Sequence, residues 1–480
     1  MKPSRIVWGA TLGTLLAACS QAPTLKLPDV SVAADYKEAA PWRTAQPADQ
    51  LPREGWWSLF GDPELNALEQ RLVQHSPDLA AALARYQQAK ASTDQLRAAE
   101  LPTLGTSLSL QRNRQSERKP LRVLGPLSPN EYDAHTLSLN LDYELDLWGR
   151  VRDQVANGVA LDQAALADLA SARLSLQAQL AETYLLLRGL DRDAALLADA
   201  EAAYGKARDL IQRRHDGGVS SGLDLARAEA QLAATRSQGR QSQAQRAVAE
   251  HAIAALIGES ASSYSLPAQL TAIPLPQVPA GLPSALLQRR PDIAAAQRRV
   301  AAANASVGVA RAAVFPTVML SASGGFQTSD IGHFIAAPNT FWAIGPALVM
   351  NLFDGGRRRA ETARAEAVLD EAGARYRGVV ITAFQQVEDS LALLQHYGDA
   401  AEEETTAVNA AQRSLDIANA RYKEGAASYL EVVTSQTATL QAQRSALDLS
   451  TRQRRASVQL IRALGGGWAA STNSLAQRQE

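Results

Sequence analysis

The chain predicts a mainly α-helical fold with a transmembrane β-barrel portion, assembled from one unit written twice. Three observations carry that prediction. Ser76-Pro77-Asp78-Leu79 returns as Arg290-Pro291-Asp292-Ile293, and Arg97-Ala98-Ala99-Glu100-Leu101-Pro102 returns as Arg311-Ala312-Ala313-Val314-Phe315-Pro316, at an offset that stays between about 206 and 214 residues. Two tracts without proline, Asn130 to Leu266 and everything after Pro346, repeat apolar residues every seven positions. Ahead of each long helical stretch lie paired segments in which apolar and polar residues alternate, strictly in copy one and more weakly in copy two. Each copy therefore runs helix, strand pair, long helical hairpin.

The N-terminus carries a processing signal over residues 1–18. Lys2 and Arg5 precede the apolar run Ile6 to Ala18, which is too short to span a bilayer and suits a secretory core. It ends Leu16-Ala17-Ala18-Cys19, which resembles a bacterial lipobox, so Cys19 is the candidate lipidation site. It is the only cysteine in 480 residues. A chance cysteine behind an ordinary signal peptide is the plainer alternative. Ser20, not Asp, follows, which favours the outer membrane over the inner.

An extended, proline-rich segment is expected over 19–55, where Pro23, Pro28, Pro41, Pro47 and Pro52 exclude a continuous helix. The first repeat then covers 56–266. Its strands are expected at about 103–112, where Leu104, Thr106, Leu108 and Leu110 alternate with small or polar residues, and at about 135–146, where Leu137, Leu139, Leu141, Tyr143 and Leu145 do. Segments of this length fit either tilted membrane strands or soluble hairpins resting on helices. Its hairpin is expected at about 151–258, with Leu169, Leu176, Leu190, Leu197, Tyr204 and Ile211 on one heptad seam. A helix over 151–215 measures roughly 95 Å at 1.5 Å per residue, too long for a compact domain. A connector at 267–282 joins the copies. The second repeat, 283–467, offers strands at about 317–328 and 340–353 and a hairpin at about 357–464, seamed by Val380, Val387, Leu394, Ala401, Val408, Leu415 and Tyr422; a tail follows at 468–480.

Composition narrows function. Net charge is −1, so no global basic field points to nucleic acid. The six histidines are scattered, and neither a phosphate-binding loop nor a nucleophile elbow appears, so catalytic residues, metals and cofactors are not expected and the chain is not read as an enzyme. Arg112 to Lys119, between the first two strands, is a basic stretch suited to lipid phosphates or simply to water. Four membrane strands cannot close, because an open edge in hydrocarbon leaves backbone groups unpaired at several kcal/mol each, and the smallest closed barrels have about eight strands. Copies of the chain must pool their strands.

Gly55-Trp56-Trp57-Ser58-Leu59-Phe60-Gly61-Asp62-Pro63, Leu141-Asp142-Tyr143-Glu144-Leu145-Asp146-Leu147-Trp148-Gly149-Arg150, Arg289-Arg290-Pro291-Asp292 and Asn351-Leu352-Phe353-Asp354-Gly355-Gly356-Arg357, in that order on a duplicated frame, resemble the outer-membrane factor family, the TolC-like tunnel subunits, and within it the NodT-type lipoproteins. The resemblance implies a homotrimer: a twelve-stranded β-barrel in the outer membrane on a twelve-helix tunnel through the periplasm. It also implies partners, namely a periplasmic adaptor and an inner-membrane pump, and a passive exit route for small compounds. By position it implies adaptor contacts at Gly218, Val219, Ser220, Ser221, Gly425, Ala426, Ala427 and Ser428, and a periplasmic gate at Tyr422, Leu430, Glu431 and Thr434. Thr434 stands where many relatives carry a second carboxylate, so only one acidic ring is expected. A duct for proteins or peptides, and a non-porous lipid-tethered spacer, remain alternative readings.

Overall fold

The computed structural model describes residues 20–29, 36–37, 55–116, 130–276, 278 and 290–466. The signal peptide, Cys19, residues 117–119 of the basic stretch and the tail at 468–480 lie outside the described residues. In chain order the elements are α1 (Pro63–His75), α2 (Pro77–Arg97), β1 (Thr103–Arg114), β2 (Glu131–Leu145), α3 (Arg150–Asp216), α4 (Gly222–Leu256), α5 (Pro291–Ala312), β3 (Thr317–Thr328), β4 (Thr340–Val349), α6 (Arg357–Lys423) and α7 (Tyr429–Ala463). The duplication is held to the residue in the hairpins: α3 and α6 each have 67 residues, and α4 and α7 each have 35. β2 starts at Glu131, earlier than its alternation suggests, because Glu131 lies beside Arg112 and Arg114 of β1 and forms ion pairs with both. β4 ends at Val349 rather than near 353.

The chain divides into two compact units that each draw on both copies. The first holds residues 86–165 and 296–376 together with the N-terminal segment. Its sheet has the order β1-β2-β3-β4, antiparallel throughout. Register sorts the two faces. One carries the rungs Leu104–Leu141–Ala322–Ile344, Thr106–Leu139–Gly324–Trp342 and Leu108–Leu137–Phe326–Thr340. The other carries Thr103–Asp142–Ser321–Gly345, Gly105–Asn140–Ser323–Ala343 and Ser107–Ser138–Gly325–Phe341. Leu104, Leu108, Leu139 and Trp342 on the first face are exposed, Trp342 by 79%, and Leu137 and Leu141 are half-buried. The polar face is knitted by Ser107–Ser138 (2.8 Å) and by Ser321 donating to Asp142 (2.8 Å). Pro346 lies in β4, which within one chain is an edge strand of this sheet.

The motifs that repeat between copies are strand-to-helix corners. In copy one, Asp146 accepts from the Val151 and Arg152 amides (3.1 and 3.0 Å), capping α3, while Trp148 stacks on Phe315 (4.8 Å) and donates to the Pro316 carbonyl (2.8 Å). In copy two, Asp354 accepts from Gly356 and Arg358 amides (3.1 and 3.3 Å), with Gly355 and Gly356 both at positive φ.

The second unit is helical. Leu190, Leu197, Tyr204 and Ile211 of the α3 seam are buried, as are Val380, Val387 and Leu394 of α6, whereas Ala401, Val408, Leu415 and Tyr422 are half-buried. A hydrophobic core gathers Trp56, Phe60, Leu65, Leu68, Leu72, Tyr184, Ile253 and Leu460. The connector is tied in by a buried network: Asp191 accepts from Arg188 (2.8 Å), Arg246 (2.6 Å) and the Gln269 amide (3.1 Å), and both arginines also reach connector carbonyls. Arg290 of the repeated Arg-Pro-Asp donates to the Ala463 carbonyl (3.0 Å), closing the end of α7. At Gly189 a Cβ would come within 2.5 Å of Thr451 Oγ1, so α3 and α7 approach as closely as glycine permits.

One core residue defies the pattern. Glu69 is fully buried on α1 with neither carboxylate oxygen hydrogen-bonded among the described residues. Burial pushes its carboxyl well above the usual range, and the charge of Arg173 only partly offsets this. A carboxyl protonated in the fold but ionised in the unfolded chain costs stability as pH rises above the ordinary carboxylate range, and nothing below it. Glu69→Gln is expected to raise unfolding stability at neutral pH by about 1–3 kcal/mol and to give no gain near pH 4, read by thermal melts in detergent across pH.

Candidate functional site at the hairpin ends

The two hairpin ends share one construction. α3 overruns into Gly218 at φ 75, and the Val219 amide returns to the Arg214 carbonyl (2.7 Å). α6 overruns into Gly425 at φ 76, and the Ala426 amide returns to the Arg421 carbonyl (2.8 Å). Positive φ is what glycine supplies at such a stop. Ser221 then caps α4 through the Asp224 amide (3.2 Å) and donates to the Asp224 carboxylate (2.8 Å). Ser428 stands at the corresponding place before α7 but makes no side-chain cap. Val219 is 79% exposed at the turn.

Differences between the ends concentrate around two tyrosines. Gly222 opens α4, while Tyr429, the matching residue, opens α7. Tyr429 is buried with Ile211, Ala228, Ala418 and Val432, and packs its ring 5.6 Å from that of Tyr422. Burial first, and then the nearby Tyr422, Asp224 and Tyr204, push the Tyr429 hydroxyl up to about 12. The Arg214 guanidinium lies 5.3 Å from the centre of the Tyr422 ring, so copy one's helix end grips copy two's.

Leu430, Glu431 and Thr434 line a groove between α6 and α7, together with Arg413, Ile417 and Arg421. Tyr422 is not part of it; it belongs to the aromatic side of the same end. Glu431 does not stand free: Arg421 donates to it (3.2 Å) and also to the Ala426 carbonyl of the turn (3.2 Å). Thr434 turns its hydroxyl back onto the Leu430 carbonyl (2.8 Å), which leaves its methyl as the group it offers. Further along the helices, Thr439 bonds the Ala411 carbonyl (3.0 Å) and Tyr204 bonds the Gln436 carbonyl (3.1 Å), pinning α7 to α6 and α3.

Magnitudes divide this end into a fixed root and a loose tip. A buried aromatic side chain contributes about 3–5 kcal/mol relative to alanine. An exposed ion pair contributes about 0.2–1 kcal/mol, and an exposed cation–π contact about 0.5–1 kcal/mol. Tyr429 therefore anchors α7, whereas the Arg421–Glu431 and Arg214–Tyr422 contacts are weak enough to exchange. The two arginines escaped the reading by motifs. Their signal was the repeat itself, since Arg214 and Arg421 precede the turn glycines by the same four residues. Among the described residues no group of three or more His, Cys, Asp or Glu is placed to hold a metal, and no helix is long and apolar enough to cross a membrane.

The model of the outer membrane efflux protein family matches residues 68–259 and 282–466. The chain is 33% identical to the pyoverdine export outer membrane protein OpmQ of Pseudomonas aeruginosa, over 97% of each chain. It is 30% identical to the toluene efflux pump outer membrane protein TtgC of Pseudomonas putida, over 98% of this chain and 97% of that one. Among solved structures it superimposes on the outer-membrane channel OprN with a TM-score of 0.84 at 31% identity, covering 94% of this chain and all of that one.

Proposed function

This chain belongs to the outer membrane efflux protein family, and on that premise we propose how copies assemble, where the conduit closes and what docks on it. It is an outer-membrane exit channel of an efflux system. The assembly is a homotrimer. The observation that carries assembly from copies is the four-stranded sheet with one apolar face and two edges, β1 and β4, that pair on one side only; the number three is taken from the family. Neither edge can lie in hydrocarbon unpaired. β4 of one copy meets β1 of the next, three copies close twelve strands, and the half-buried seam of α6 supplies the helical wall.

The periplasmic gate lies at the hairpin ends, with Tyr422, Leu430, Glu431 and Thr434 around the mouth and Arg421 and Arg214 as the latches that hold it shut. Glu431 gives a single acidic ring whose charge is partly compensated by Arg421. The turns, Gly218, Val219, Ser220 and Ser221 with Gly425, Ala426, Ala427 and Ser428, are the contact surface for a periplasmic adaptor. Their small side chains admit close backbone approach. Energy comes from an inner-membrane pump. Cargo is selected by that pump: OpmQ and TtgC, named for pyoverdine and toluene, are similar to this chain to nearly the same degree. Cys19 carries the acyl anchor.

Purified protein is expected to sediment as three chains and to conduct in planar bilayers; a stable, bilayer-embedded single chain would refute the assembly. Arg421→Ala removes three exposed ion pairs from the trimer. Open probability is expected to rise by several-fold to about a hundredfold at low salt, the sum of three pairs at about 0.2–1 kcal/mol each. That gain is expected to shrink in about 1 M salt, where screening extends to roughly 3 Å. Val219→Asp is expected to leave conductance unchanged while abolishing crosslinking to the adaptor and export by intact cells; unchanged export would remove the turn from the docking surface.

A further inference from the structure

The segment that follows Cys19 has a socket of its own in the first unit. Ser20 donates its hydroxyl to Asp153 Oδ1 at 2.7 Å, and the Ser20 hydroxyl oxygen accepts from the Ala22 amide at 3.2 Å. Asp153 is only 4% exposed and stands one turn into α3, close behind the end of β2 at Leu145. Opposite it on α5 is Gly308. A Cβ at Gly308 would collide with Asp153 Oδ2 and come within 2.8 Å of the Ala22 amide nitrogen, so no larger residue fits. One turn earlier on α5, the buried Asn304 donates to the Pro23 carbonyl at 2.8 Å. Asn157, one turn beyond Asp153, donates to the Ala302 carbonyl (2.8 Å) and to Ser306 Oγ (2.9 Å), which sets the spacing of α3 and α5 around the segment. Pro28 then lies against Gly373 of α6, where a Cβ would meet its ring at 3.1 Å.

A buried carboxylate is expensive unless it is hydrogen-bonded. Burial pushes the Asp153 carboxyl upward; the Ser20 hydroxyl and the Gln21 amide work against that, while Oδ2 has no hydrogen-bond partner among the described residues. With the segment in place Oδ1 has its donor; without it the buried carboxyl would lose that bond as well. We propose that Asp153, Gly308 and Asn304 form a docking site for the acylated N-terminus of this same chain, which holds the lipid anchor at the helices that adjoin the end of β2. The proposal rests on the reading of Cys19 as acylated. Its consequence is geometric. A free linker from residue 19 to residue 55 lets its tip wander over roughly 30 Å, whereas docking at Ser20 leaves the acylated residue one peptide step, about 3.8 Å, from a fixed point beside the strand ends. The acyl chains then enter the bilayer at one depth and one position around the barrel, at high effective concentration for the membrane edge. Asp153 is in this sense a positioning residue for the anchor.

The test uses full-length protein, exported and processed by its host and reconstituted in bilayers. Intact mass reports acylation, and hydrogen exchange on the same sample reports amides 20–29. The wild type is expected to carry acyl mass and to exchange slowly over this segment. Asp153→Ala and Gly308→Ala are expected to accelerate it by about tenfold or more with the strand amides unchanged, and Asp153→Asn, which keeps an acceptor, by much less. Ser20→Ala removes one surface hydroxyl without touching the core, so it folds even where Asp153→Ala does not, and it is expected to speed exchange as well. A nitroxide on Gln21→Cys adds a readout that simple stability does not move: relaxation by a lipid-anchored nickel chelate is strong in the wild type and heterogeneous in Asp153→Ala. An acylated protein whose segment exchanges freely, or equally in wild type and Asp153→Ala, overturns the socket. Absence of acyl mass overturns the anchor itself, and the two failures are told apart within one sample.

Discussion

Backbone pairing in hydrocarbon is the constraint from which the rest of this structure follows. Every amide and carbonyl at membrane depth has to find a partner within protein, and a sheet of four strands leaves two rows of them without one. The apolar face of Leu104, Leu108, Leu139 and Trp342 commits that sheet to lipid, so its edges cannot be hidden by water. Closure by identical neighbours is the remaining solution.

Duplication supplies the geometry, and divergence between the copies supplies the function. Hairpins of identical length keep the two ends of each chain level with one another along the chain register. Within that frame the copies have specialised. Copy one keeps glycine where copy two has Tyr429, and spends its arginine, Arg214, on the tyrosine of the other copy. Copy two turns its matching arginine inward to Glu431 and its own turn. The buried Arg188–Asp191–Arg246 cluster belongs to copy one alone; the matching positions in copy two are Gln395, Gly398 and Gln453. That cluster fastens the connector that joins the copies, a task that occurs once per chain.

Stability is distributed to match. Around the core of Trp56, Phe60 and Tyr184 the helices are held by full burial and by charge-assisted bonds to carbonyls. At the hairpin ends the hold passes to exposed pairs worth about 1 kcal/mol or less apiece. Segments that move are found at the low-stability end of a fold, and the proposed gate falls on this weakly held tip while buried Tyr429 anchors its root.

Much of this was legible in the residues. Strict alternation placed the strands of copy one, and weaker alternation with the repeat placed those of copy two; proline gaps and heptads placed the long helices, because proline cannot sit inside them. The left-handed turn glycines at 218 and 425 were readable for the same local reason. What the chain order could not show was pairing across distance. That Glu431 meets Arg421, that Arg214 reaches Tyr422, and that Ser20 lies on Asp153 beside Gly308 depend on which side chains packing brings within 3 to 5 Å. Local pattern determines elements because backbone geometry is local. Contacts between residues 133 or 208 positions apart are decided only when the helices are packed, since no periodicity in sequence encodes the distance between two seams.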